Sequence, residues 1–439
     1  MPFLLALLAM TLSLAARSAA DLPEPPVAKK VPKAMTKFGD RRIDNYFWMR
    51  EKENPEVLAH LKAENAYTEA VTKPLEGFRE KLYREMLARI QETDESVPYR
   101  KRGWWYYTRE VEGLQYPIYC RRKGSMKADE EVILDVNELA KGKSYTGVDF
   151  WEVSPDGRYL AYGADFTGYR EYTVYVKDLS TGRLLDDRLE RVDSLAWAAD
   201  NATLFYTQQN AAKRPDRAFR HALGTKDDAL VWEEKDELFN LGVGATRSDA
   251  FVVLVSASKD TSEVRVVPAA DPQAAPRRIA GRRTGHEYYL DHHGDEFWIR
   301  TNDKGKNFRL VRAPVADPKP AGWKQVLAHR KLVMLEDVDV FKDFWVATER
   351  DDGILKLRVT DFATREHHYI DMPETVYSTS AGANAEYDTK RFRFVYQSYV
   401  TPRSTYDYDV GKRERKLLKR MPVLGGFESG DYESAMVMA

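Results

Sequence analysis

One short pattern recurs along most of this chain: a polar turn followed at once by a run of aromatic or branched residues. It appears at Arg102-Gly103 before WWYYT, at Asp156-Gly157 before RYLAY, at Asp200-Asn201 before ATLFYT and at Ser248-Asp249 before AFVVLVS. It returns at Gly294-Asp295 before EFWIRT, at Lys342-Asp343 before FWVATE and at Asp388-Thr389 before KRFRFVYQ. Successive copies stand 44 to 53 residues apart, close to the roughly 40–50 residues of known propeller repeats. A further strand follows each copy in phase, from YPIYCRR and YTVYVKD near the start to LKLRVTD and STYDYDV near the end. The stretch 152–186 shows the whole unit. A strand ends at Pro155, strands follow over 159–164 and 172–177, and a Ser180-Thr181-Gly182 turn leads to a short fourth strand at 183–186. Asp-Gly and Ser-Thr-Gly supply tight turns, and alternating Tyr, Leu and Val supply half-buried strands. Four antiparallel strands with open edges make a poor domain alone but a good unit in a ring. The pattern therefore predicts an all-β fold, a seven-bladed β-propeller of four-stranded antiparallel blades over 94–424. A two-sheet sandwich with coincidental turns would not keep two strands in phase through seven copies. Blades built from consecutive sequence imply a ring that closes by packing of the first blade on the last, with no terminal strand completing a distant blade.

Upstream of the repeats the pattern changes. Residues 2–16 form an apolar run interrupted only by Thr11 and Ser13, and Ser18-Ala19-Ala20 offers small residues before Asp21. Such a run is short of the about 20 residues that span a membrane and fits a secretory signal, although no Lys or Arg precedes it. The expectation is a signal peptide over 1–20, cleavage near Ala20-Asp21, and a periplasmic or secreted protein with no membrane attachment afterwards. Residues 21–93 read as a linker and a two-helix extension. Pro23, Pro25, Pro26 and Pro32 make its start extended. Asn54-Pro55-Glu56 is a helix start, with a capping side chain, proline in the first turn and an acid near the positive helix end. Helical spacing continues to Val71, and Leu75, Phe78, Leu82, Met86 and Ile90 mark one face of a second helix. Nothing in the repeats requires these helices, so their apolar faces call for a partner, either the propeller's side or another domain.

Composition narrows the function more by exclusion. With 43% hydrophobic and 31% charged residues there is material for a substantial core, and a formal net charge of −1 gives no global field for nucleic acid. Basic clusters at 412–416, Lys419-Arg420, Arg277-Arg278 and Arg282-Arg283 fall on predicted outer strands or turns, where they guard edges. The single cysteine, Cys120, lies in a strand and reads as a structural thiol. His292-His293 and His367-His368 are poor metal ligands, because neighbouring strand residues point to opposite faces. A nucleophile elbow requires Gly-x-Ser-x-Gly. Ser144 lacks the final glycine and Ser429 has the wrong spacing on both sides. No phosphate loop, zinc motif or dinucleotide fingerprint occurs. The residues therefore assign no catalytic, cofactor-binding or metal-binding position, and no cofactor is expected.

Three stretches carry a more specific likeness: 46–70 (YFWMREKENPEVLAHLKAENAYTEA), 96–124 (SVPYRKRGWWYYTREVEGLQYPIYCRRKG) and 401–427 (TPRSTYDYDVGKRERKLLKRMPVLGGF). Together with VSPDGRYLAY they resemble oligopeptidase B of the prolyl oligopeptidase family of serine peptidases, from about Val31 to Phe427. The resemblance implies a propeller capping an α/β-hydrolase domain, with the N-terminal helices on the hydrolase side and short peptides cut after Arg or Lys. It also implies that Ser, Asp and His of the catalytic site lie in the hydrolase domain, which in the family begins soon after the segment matching 423–432. Such a domain takes on the order of 200 residues, whereas the chain ends at Ala439, so 425–439 reads as the start of a linker to an absent domain. No catalytic residue carries over, and the chain alone is expected to be inactive. The expectation is thus the gating, size-filtering portion of an oligopeptidase B-like peptidase truncated before its catalytic domain. The alternative is a stand-alone propeller serving as a binding module.

Overall fold

The structure, a computed structural model, describes residues 23–437, so the leader expected at 1–20 lies outside the described residues. The chain divides into two compact units with the boundary after Ile90.

The first unit opens with a hairpin that the sequence reading took for linker. Strands Lys33–Lys37 and Asp40–Asp44 pair antiparallel around Phe38-Gly39. Both turn residues are left-handed, at φ 53 and 82, which matches the twist of a two-residue hairpin. Helix α1, Pro55–Thr72, starts where the sequence places it: the Asn54 side chain accepts from the Glu56 N–H at 3.0 Å. Helix α2 is Glu76–Leu87. The expected pair of separate helices is corrected here. A single 3-10 turn, Lys73–Leu75, joins them, so 55–87 is one long helical run. Pro74 cannot donate an i−4 hydrogen bond, yet its fixed φ is helical, so the backbone tightens for one turn and does not stop.

The second unit is all-β. Its strands form six sheets in chain order, at 94–135, 147–233, 240–278, 288–327, 333–369 and 378–420. The expectation of seven four-stranded blades is corrected. Self-contained blades number five: the first with five strands, and the third to sixth with four each. The second sheet has seven strands and absorbs two of the expected blades. The cause is the strand Leu184–Trp197, 14 residues long. Its first half pairs with Tyr172–Asp178 and its second half with Thr203–Gln209. Val192 faces both Tyr172 and Gln208, and a bulge lies on each side of it. No Gly, Pro or Asn interrupts 184–197, so nothing ends the outer strand before it becomes the next inner one.

Five of the expected turns carry a left-handed residue, at Gly103, Gly157, Asn201, Asp249 and Gly294. That is the conformation which Gly, Asn and Asp tolerate best. The core lies between neighbouring sheets. Phe341, Phe344 and Val346 of the fifth region interleave with Phe392, Phe394 and Tyr396 of the sixth, and Phe251 and Val264 of the third meet Phe297 and Ile299 of the fourth. Each such side chain contributes about 1.5–3 kcal/mol on burial. The last sheet meets the first through side chains: Lys419 Nζ lies 2.6 Å from Asp94 Oδ1, and Arg393 Nη1 donates to Pro98 O at 2.7 Å. No ladder joins these two sheets among the described strands.

Candidate functional site

Residues from every sheet, or from the turn beside one of its strands, line one cavity of about 420 Å³. Arg102 comes from the first sheet, Trp197 from the second, Arg247 from the third, Asp291 from the fourth and Asp339 from the fifth, while Asn384 follows the first strand of the sixth. A cavity touched by all six sheet regions lies on the axis of the ring, and nine of its 22 lining residues are charged.

Two arginines cross this channel. Arg102 reaches past the second sheet to Asp249, with Nε 2.7 Å from Oδ2 and Nη2 2.6 Å from Oδ1. This forked geometry is the stronger, orientation-specific form of ion pair. Its Nη1 also donates to Val153 O at 3.3 Å. Arg247 extends the crossing: Nη2 bonds Asp339, Nε donates to Asn384 O at 2.9 Å and Nη1 to Val340 O at 3.2 Å. Its guanidinium also stacks 4.4 Å from the Phe341 ring centre. The turns that mark the repeat are linked around the same unit. Asp156 N donates to Asn201 Oδ1 at 2.8 Å, His293 Nε2 contacts Lys342 O at 2.9 Å, and Lys342 Nζ reaches Asp388 Oδ2 at 2.6 Å. The sequence reading identified these turns but not what they hold. Three of the bridging side chains, those of Arg102, Asn201 and Asp249, stand at left-handed positions.

Burial sets the ionisation of the channel acids. It pushes the Asp291 carboxyl up to about 6, against the pull of Arg247 and two backbone N–H groups. It pushes Asp339 up as well, again opposed by Arg247. Burial lowers Arg300, with Asp337 acting the other way. On the first-sheet side, Lys101 Nζ pairs with Glu152 Oε2 at 3.0 Å.

The residues weighed for chemistry from sequence lie apart from one another. Cys120 is fully buried, and burial pushes its thiol up to about 11, so it is a poor nucleophile. The paired histidines split: His292 Nδ1 contacts Ser248 Oγ at 2.9 Å, whereas His293 stacks on Phe362 at 3.9 Å. Ser248 and His292 form a hydroxyl–imidazole contact the sequence did not reveal, since 44 residues separate them. The His292 ring is wedged beside Phe251 and Phe297, and among the described residues no carboxylate bonds its side chain. The contact lacks the orienting third group of a catalytic triad. Among the described residues no cluster of three His, Cys, Asp or Glu side chains is arranged to hold a metal ion, and no helix is long and apolar enough to cross a membrane. Of the basic clusters, Arg277-Arg278 and the residues within Glu414–Arg420 sit on outer strands, whereas Arg282 lies off the strands and pairs with the buried Glu234.

Comparison with known proteins fits this geometry. The sequence profile described as "Prolyl oligopeptidase, N-terminal beta-propeller domain" matches residues 25–421. The chain is 40% identical to dipeptidyl aminopeptidase BI of Pseudoxanthomonas mexicana, over 96% of this chain and 61% of that protein. It is 31% identical to protease 2 of Moraxella lacunata, over 94% of this chain and again 61% of the relative. Among solved structures, oligopeptidase B from Leishmania major superposes with a TM-score of 0.87 at 28% identity, covering 93% of this chain and 62% of that one. The chain thus spans about three fifths of the length of these relatives.

Proposed function

We propose, from the premise that this chain belongs to the prolyl oligopeptidase family through its N-terminal β-propeller domain, that it is the substrate filter of an exported serine peptidase acting on short peptides after Arg or Lys. The catalytic serine, histidine and aspartate belong in this reading to an α/β-hydrolase domain beside the propeller. The observation that carries the reading is the axial channel, about 420 Å³ and crossed by the Arg102 and Arg247 bridges. A space of that size suits a small ligand and excludes a folded domain. The hydrolase partner is supported by α2, which leaves Phe78 and Met86 61% and 59% exposed, with Leu75 and Leu82 on the same face. A run of exposed apolar side chains on one helix face is a docking surface more often than a solvated one. Export rests on the apolar run at 2–16, and a mature N-terminus at Asp21 in periplasmic protein checks it.

The test joins this chain to the hydrolase domain of a family relative. Short peptides with an internal Arg are cleaved and long unfolded polypeptides are not, and the propeller-free hydrolase domain loses that limit. Limited proteolysis gives a second reading of the same complex. Residues up to about 94 are cut when the chain is alone and protected when the hydrolase domain is present. A size limit that persists without the propeller, or helices equally resistant with and without the partner, would overturn the proposal.

A further inference from the structure

We propose that the channel wall made by the fourth and fifth sheets is a binding site for one basic residue of an extended peptide, its cationic side chain held by Asp339 and Asp337 and its backbone carbonyl received by the N–H groups of Trp298 and Arg300. The inference rests on reading the propeller as a domain that handles peptides, and it adds a site of chemical selection within the filter.

The argument starts from charge. On the opposite wall the cations are already matched one to one, Lys101 with Glu152 and Arg102 with Asp249. On this wall three carboxylates, Asp291, Asp337 and Asp339, face two guanidinium groups, Arg247 and Arg300. Arg247 spends its donors on one oxygen of Asp339 and on the main-chain oxygens of Val340 and Asn384, and it stays 3.8 Å from Asp291. Arg300 Nη1 donates to Leu335 O at 3.3 Å, and its plane lies over the Tyr289 and Phe308 rings at 4.2 and 4.4 Å. One negative charge is therefore left over.

Hydrogen bonding identifies the ligand. Asp339 is only 7% exposed, and its Oδ2 meets no protein donor. Trp298 Nε1 and Arg300 Nε, buried atoms of two residues that line the cavity, meet no protein acceptor. Buried polar atoms left in this state are costly unless a partner arrives. A simple cation would serve the carboxylate and leave both N–H groups unmet, and a simple anion would do the reverse. A lysine or arginine within a peptide carries a cation and a carbonyl a few bonds apart, and so answers both. Burial is the main cause of the upward push on the Asp291 and Asp339 carboxyls, and a cation arriving beside them would oppose it as Arg247 already does.

The experiment titrates the full chain with acetyl-Gly-Arg-Gly-amide and with the same peptide carrying neutral citrulline, read by calorimetry and by the fluorescence of the channel tryptophans. A charge-assisted contact predicts about tenfold tighter binding of the arginine peptide. Asp339→Asn and Asp337→Asn should each abolish that preference. Asp337 is solvent-exposed, so its variant decides the matter if Asp339→Asn does not fold. Equal binding of the two peptides, or a preference that survives both substitutions, would overturn the site. If neither peptide binds while the hydrolase domain still protects the helices, the site fails and the filter reading stands. If the charge preference is seen but size limit and protection are absent, the filter reading fails and the site stands.

Discussion

Two residues show how burial, rather than identity, decides chemistry in this molecule. Asp291 is held at about 6, against an ordinary value of 3.8, by burial that Arg247 offsets only in part and that Asp339 reinforces. The folded chain therefore keeps a proton on Asp291 that the unfolded chain has released. Stability falls as pH rises from about 4 to about 6, and the penalty is complete above that window. Asp291→Asn removes this slope, so the stability difference between variant and parent shifts in favour of the variant by about 1–3 kcal/mol between pH 4 and pH 7. Urea unfolding at the two pH values measures it, and parallel curves would show that Asp291 titrates normally. Cys120 is the complementary case. Fully buried, with its thiol raised to about 11 by burial and by the nearby Glu130, it should resist a thiol reagent in the native chain and react as the first sheet unfolds. Fast modification of folded protein would contradict that. The strand setting of Cys120 was legible in the sequence. The elevated Asp291 carboxyl was not, because it depends on burial by the assembled ring and on Asp339, 48 residues away.

Among the elements, the second sheet carries the clearest lesson. The turns at Asp156-Gly157 and Asp200-Asn201 were readable from residue type alone, and both form. The short strand expected at 183–186 instead runs on to Trp197. Sequence patterns mark where strands must break, and 184–197 contains no Gly, Pro or Asn. Whether an unbroken run serves one sheet or two is settled by which strands lie on either side. The same sheet contains a contact that turn rules do not anticipate. Gly163 faces Phe150 across the ladder, and a Cβ at Gly163 would approach that ring to 2.3 Å. The glycine is there to admit the aromatic ring, which covers the backbone it leaves bare. Gly163→Val should cost about 1–3 kcal/mol through overpacking, seen as a lower denaturation midpoint with unchanged slope. Adding Phe150→Ala should recover part of the loss. Absence of recovery would place the cost elsewhere in the strand.

For the propeller unit as a whole, closure is the weak step. Within sheets, ladders of backbone hydrogen bonds hold the strands, but the first and last sheets meet through Lys419–Asp94 and Arg393–Pro98, beside a cavity of about 540 Å³. Lys419 and Asp94 are each about one-third exposed, and 1 M salt shortens the screening length to about 3 Å. Hydrogen exchange in the edge strands Asp94–Glu95 and Glu414–Arg420 should therefore accelerate at high salt, and accelerate similarly in Asp94→Asn at low salt. Exchange in the fully laddered strand Phe344–Asp351 should not change. Uniform exchange across the ring would mean that apolar packing, not this ion pair, holds the seam.

The sequence by itself determined the all-β character of the repeat region, the positions of the turns, the capped start of the helical run and the family likeness. All of these are local: each depends on residues within one turn, one strand or one period. Tertiary structure alone decided that Leu184–Trp197 joins two expected blades, that Pro74 tightens the helical run without ending it, and that the channel is crossed by arginines. Arg102 and Asp249 are 147 residues apart. They meet because the ring brings the turns of non-neighbouring sheets to one opening, and no local pattern carries the angle through which each sheet is rotated from the last.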